Sequence, residues 1–200
     1  MSPSENRFTP LQRALHWIMA ICIVAMLFIG VGMVSTIRPD YLTLVSVHKP
    51  LGVVILVLAL VRLAVRLLRG APPLPDSMPQ PMKLAAHLSH LAFYLLMIAL
   101  PILGWGMLSA ADYPVVVAGI RLPSIAPHSN DLHTLLWNAH RFLALCFFAL
   151  IVVHAAAALF HALLRRDGVF QSMAPWNVDQ PSLPVGNPAA VSQERSVRQQ

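Results

Sequence analysis

The sequence predicts an all-α integral membrane protein, a bundle of four transmembrane helices, on three observations. Hydrophobic residues make up 57% of the 200 residues and charged ones only 11%, with a mean hydropathy of +0.66, whereas soluble domains carry about 25% charged residues. Four apolar segments are each long enough to cross the hydrocarbon of a bilayer, about 30 Å thick, which takes roughly 20 helical residues. The charges gather between those segments and leave them almost clean, as in a polytopic membrane chain. A nucleic-acid-binding protein would spread its cations over an exposed surface, so the formal charge of +6 points to membrane topology and not to nucleic acid.

The first segment, about 10–35, contains the apolar run Leu15 to Val34. That run exceeds a signal-peptide core and no convincing small-x-small cleavage pattern follows it, so it reads as a helix. A short connector with Arg38, Pro39 and Asp40 joins it to the second segment, about 47–69, as an antiparallel hairpin. Gly70 to Met82 carries Pro72, Pro73, Pro75, Pro79 and Pro81, which cannot continue a helix and predict a stiff, extended link. The third segment covers about 84–109. The outer loop 110–132 mixes Asp112, Pro114, Gly119, Pro123 and Pro127 with the run Val115 to Val117, and is expected to fold over one membrane face as a cap. The fourth segment, about 133–164, is long enough to project from the bilayer. Residues 1–176 thus read as one transmembrane domain, and the polar, proline-containing stretch 177–200 as a disordered tail.

Four crossings put both termini and the second connector on one side. Arg7, Arg13, Arg62, Arg66, Arg69, Lys83, Arg165 and Arg166 flank that side, against Arg38, Lys49, Arg121 and Arg141 opposite. Retention of cations on the cytoplasmic side places both termini inside. In a bacterium this means the inner membrane, with the loop 110–132 in the periplasm. Cys22 and Cys146 lie in mid-segment, away from an oxidising compartment, and read as small hydrophobes.

Ionisable residues within a span are costly and are functional candidates by default. Eight of the nine histidines fall in or at the ends of the four segments. In the fourth, His133, His140, His154 and His161 recur at multiples of seven, which returns nearly to the same helix face. His140 and His154 are fourteen residues apart, about 21 Å at 1.5 Å per residue, enough to stack two haems across the bilayer. A haem held by two histidines needs a second imidazole at equal depth. His16, near the inner end of the first helix, can share an inner haem iron with His154, and His48, at the outer end of the second, can share an outer one with His140. The expected architecture is a four-helix bundle holding two b haems.

The fourteen-residue interval recurs as His16 with Gly30, His48 with Arg62 and His90 with Gly104. Gly30 would let a porphyrin face approach the backbone, and Gly52, one turn after His48, would clear space beside its own haem; small residues that simply pack helices are the alternative for each glycine. Arg62 is suited to haem propionates, the alternative being that it snorkels to the inner surface. His87 and His90 stand three apart at the inner start of the third helix, as candidate ligands, propionate partners, quinone-pocket lining or interfacial hydrogen-bonding groups. His133 and His161 lie near the membrane surfaces, where solvation explains them.

Together these stretches resemble the bacterial cytochrome b561 family, which includes superoxide oxidases. The resemblance rests on LQRALHW from Leu11 to Trp17, His48 to Leu68, His87 to Ser109 with its HLSH start, and His140 to Pro175 with HAAAALFHALLRRDGV. It implies two b haems ligated by His16, His48, His140 and His154, and exchange of electrons with membrane quinone. For superoxide oxidases it implies oxidation of superoxide to dioxygen with ubiquinone as acceptor. Lys49, Arg121 and Arg141 are then candidates to attract an anion such as superoxide to the outer face, or simply to neutralise propionates. An alternative is an electron-relay or anchor subunit for a partner dehydrogenase or hydrogenase. A histidine-lined metal transporter is more distant, since no Asp or Glu lies within the four spans.

Overall fold

The computed structural model describes residues 7–35 and 40–175. The tail 177–200 and the connector residues Arg38 and Pro39 lie outside the described residues. The four apolar segments are the helices α1 (Pro10–Ser35), α2 (Asp40–Arg69), α3 (Gln80–Ala110) and α4 (Asn130–Phe160). All four are long and apolar enough to cross a membrane, and helices satisfy their backbone polar groups internally, as lipid requires.

Element ends depart from the sequence reading where hydropathy and helicity part company. α2 begins at Asp40 rather than near 47, because hydropathy marks the length immersed in lipid while backbone hydrogen bonding runs on through the polar turn before it. α3 begins at Gln80 with Pro79 as its cap and Pro81 in its first turn, positions where a missing N–H removes no helical bond. α4 begins at Asn130: Ser129 Oγ accepts from the Leu132 N–H at 3.2 Å, and Asp131 sits in the positive first turn. Ser129→Ala is expected to cost about 1 kcal/mol, seen as a fall of a few degrees in the thermal unfolding midpoint in detergent.

The connector after α3 holds a two-stranded hairpin, β1 (Val116–Val117) and β2 (Ile120–Arg121), with Val116 opposite Arg121. Ala118 and Gly119 turn it with φ of +50° and +82°, the left-handed pair that matches hairpin twist. Trp105 Nε1 donates to Pro123 O at 3.0 Å and Ile125 N to Ser109 Oγ at 3.2 Å, folding the connector back on the end of α3. Beyond α4 a π-helical turn, His161–Arg165, leads into the short helix α5 (Val169–Met173). That segment closes against the start of the chain: Trp17 Nε1 donates to Met173 O at 2.9 Å and Arg13 Nη1 to Ala174 O at 3.0 Å.

Side-chain contacts fix the helix directions. Arg62, late in α2, bonds His16, early in α1, so these two run antiparallel; His48 and His140, early in α2 and α4, adjoin, so those two run parallel. Large apolar side chains face outward along every span, Ile21 at 69% and Phe28 at 76% exposure among them. A soluble protein would not tolerate such a belt, and lipid is its natural contact. The buried centre is small and layered: Met19, Ile23, Ile55, Ala59, Met97, Leu100 and Phe147.

Candidate haem sites

Each helix contributes to that central layer from between its own chemically distinctive positions. Met19 and Ile23 lie between His16 and Gly30, Ile55 and Ala59 between His48 and Arg62, Met97 and Leu100 between His90 and Gly104, and Phe147 between His140 and His154. The histidines therefore divide into two levels separated by an apolar layer.

At the end bearing the described chain termini, the rings of His16 and His154 have centroids 6.4 Å apart with planes at 71°. At the opposite end the rings of His48 and His140 are 6.2 Å apart at 67°. Two imidazoles gripping one metal from opposite sides, with bonds of about 2 Å, hold their centroids roughly 6 Å apart. Both pairs fit that spacing. The pairs are drawn from α1, α2 and α4, as the sequence reading expects, with α4 serving both levels.

The remaining ring atoms also suit cofactor binding. His140 Nδ1 lies 3.0 Å from Leu100 O; a carbonyl only accepts, so Nδ1 carries the proton and Nε2 keeps a lone pair for a metal. Gly104 faces this ring, and a Cβ there would come into ordinary contact with His140 Cε1 at 3.4 Å. His48 Nδ1 is buried with no hydrogen-bond partner among the described residues, a polar atom suited to a bound group. A Cβ at Gly30 would meet nothing within 4 Å, and one at Gly52 only Met26 Cε at 3.8 Å. Both glycines leave room beside the histidine levels.

Arg62 reaches the same level as His16 and donates from Nη1 to His16 Nδ1 at 2.7 Å. With Arg66, Gln12 and Tyr94 it lines a small cavity of about 20 Å³ at this end. The sequence reading treats His87 and His90 as one pair, and the structure separates them. Both are exposed on α3, but the His87 Nδ1–H donates to Lys83 O of its own helix at 2.7 Å, while His90 has its ring 6.4 Å from that of His154. Lys49 is half-buried beside His48, and Arg141 and Arg121 are exposed at the hairpin end. Arg121 also lines a cleft of about 50 Å³ with Trp105, Ser109, Asp112 and Tyr113.

Two features were missed in the sequence. Phe93 stacks edge-on to His154 at 5.0 Å and to Phe147 at 5.8 Å, an aromatic pair between the levels. The signal was available, since Phe147 continues the seven-residue stripe midway between His140 and His154. The second is an ion-paired cluster at the termini-bearing end: Asp167 Oδ2 accepts from His161 Nδ1 at 2.7 Å and Arg165 Nε at 3.1 Å. Proximity to the membrane surface suggested a solvated His161, but the residue is only 8% exposed. The π-helical turn and the left-handed Arg166 that bring Asp167 back have no periodic signature.

Comparison with known proteins settles the family. The family model for prokaryotic cytochrome b561 matches residues 7–176. The chain belongs to that family. Its relatives include cytochrome b561 homolog 1 of Escherichia coli strain K12, 28% identical over 85% of this chain and 98% of the relative. Another is a protein named probable superoxide oxidase CybB from Yersinia pestis, 30% identical over 86% of this chain and 97% of that one. Cytochrome b561 homolog 2 of the same E. coli strain is 29% identical over 85% and 92%. As a cytochrome b561 the chain is a membrane electron-transfer protein that binds b haem.

Proposed function

We propose that this cytochrome holds two b haems and moves electrons across the bacterial inner membrane, from superoxide at the periplasmic face to membrane ubiquinone. The supporting observation is the pair of histidine contacts at two depths, 6.4 Å and 6.2 Å between centroids. In this reading His16 and His154 hold the inner haem iron, and His48 and His140 the outer one. Residues 1–176 are the working domain, and the termini are cytoplasmic. Bound haems supply one-electron redox chemistry, and ligation from both faces disfavours dioxygen binding.

The chain's own residues position and tune. Arg62, freed from His16, pairs with propionates; Gly30, Gly52 and Gly104 clear space for ring edges and faces; Leu100 O fixes the orientation of His140. His87, exposed near the inner end of α3, together with His90 marks where a quinone approaches. Lys49, Arg121 and Arg141 raise the local concentration of superoxide at the outer face. The reaction balances when two superoxide ions each lose one electron to become dioxygen and the quinone takes both electrons with two protons. Superoxide as donor draws support from the name of the Yersinia relative and from those three cations.

Stopped-flow mixing of the purified haem protein with superoxide tests this directly. Rapid haem reduction and quinone-dependent superoxide consumption are expected, and the absence of both would refute the superoxide reading. Replacing Lys49, Arg121 and Arg141 together by glutamate is expected to slow the second-order step at low salt by about tenfold or more, with the difference shrinking as salt rises.

A further inference from the structure

We propose that His90 is a reserve axial ligand for the inner haem, able to stand opposite His154 in place of His16. The proposal rests on the two-haem reading above and deepens it. His154 has two imidazole neighbours on two different helices: His16 of α1 and His90 of α3 both lie 6.4 Å away between centroids, with planes at 71° and 65°. On centroid spacing, either can serve as the second imidazole.

The two rings differ in their hydrogen bonds. A guanidinium only donates, so the bond from Arg62 Nη1 makes His16 Nδ1 an acceptor and leaves the proton of a neutral ring on Nε2. Ligation through that Nε2 requires Arg62 to let go and the ring proton to move to Nδ1. His90 carries no such constraint: among the described residues no hydrogen bond engages either of its ring nitrogens. His87, three residues earlier, donates from Nδ1 to Lys83 O of its own helix, and among the described residues the histidine rings that meet His154 are those of His16 and His90.

The other level has no such duplication among the described residues. His133 there stacks on Trp137 at 6.5 Å and not on His48 or His140, and His128 lies 3.0 Å from Asp112. The asymmetry gives the inner level a means of exchange that the outer level lacks. In the exchange one metal–imidazole bond is lost as another forms, no electron is transferred, and the proton on the leaving His16 ring returns to Nε2 as Arg62 recaptures Nδ1. The state bound by His90 and the state bound by His16 differ in Arg62 placement, so their reduction potentials differ.

The test uses the full-length protein, with haem per chain and low-temperature electron paramagnetic resonance as readouts. His16→Ala is expected to keep two haems per chain with the inner one still low-spin, and His90→Ala also to keep two. The double variant should fall to one, as should His154→Ala. His16→Gln retains an acceptor for Arg62 and serves where the alanine variant fails to fold. A His16 variant that drops to one haem, or whose inner haem turns high-spin, overturns the proposal while leaving the two-haem reading intact. A double variant that keeps both haems, or a His90→Ala protein that loses one, overturns it equally. A wild-type protein with fewer than two haems overturns the underlying reading and this proposal with it.

Discussion

Replacing His154 with alanine is expected to halve the haem content, and replacing His140 to remove the other half. The two residues lie on one face of α4, fourteen apart, about 21 Å along the helix axis. Each meets a different partner: His16 for His154 and His48 for His140. Between them stands the layer of Met19, Ile23, Ile55, Ala59, Met97, Leu100 and Phe147, close-packed enough that loss of one site need not collapse the other. The variants should therefore lose distinct components of the reduced-minus-oxidised spectrum, and their difference spectra should sum to that of the wild type. A single variant that loses both components would show one cooperative site instead of two levels.

Asp167→Ala is expected to destabilise the folded protein by about 3 kcal/mol, the scale for removing one partner from a buried ion pair. The carboxylate is 7% exposed and accepts from both His161 and Arg165, so its loss strands two donors at once. The effect should be local first. α5 follows Asp167 directly, and Asp167 Oδ1 also accepts from the Val169 N–H at 3.3 Å. Release of α5 would free the contacts that Trp17 and Arg13 make with Met173 and Ala174. The expected signature is a lowered unfolding midpoint together with faster proteolysis after residue 165, with spectra at the level of His48 and His140 unchanged. An unchanged midpoint would mean that the cluster is solvated and adds nothing.

Much of this architecture is legible in the sequence because lipid simplifies the code. A bilayer demands about twenty apolar helical residues per crossing, so length and hydropathy alone locate α1 to α4. The cost of histidines in such spans makes their spacing informative, and the interval from His140 to His154 converts directly to depth. Helix ends are less legible: Pro79 and Pro81 read as loop residues although they open α3, since proline blocks a helix interior but not its first turn. The hairpin at Val116–Arg121 is hidden because its strands, two residues each, are too short to show an alternating pattern. The links from Arg62 to His16, from His90 to His154 and from Asp167 to His161 are tertiary. They join residues whose mutual approach depends on helix rotation and on a π-helical turn, neither of which a single sequence encodes in its periodicity.

The central claim is that two depths of the bundle each hold one haem between two imidazoles. Haem quantitation per chain on the purified wild-type protein, combined with low-temperature electron paramagnetic resonance of its oxidised form, tests it most directly. Two haems per chain, both low-spin, are expected. One haem per chain, a high-spin centre, or a fully loaded preparation without visible absorption would contradict it.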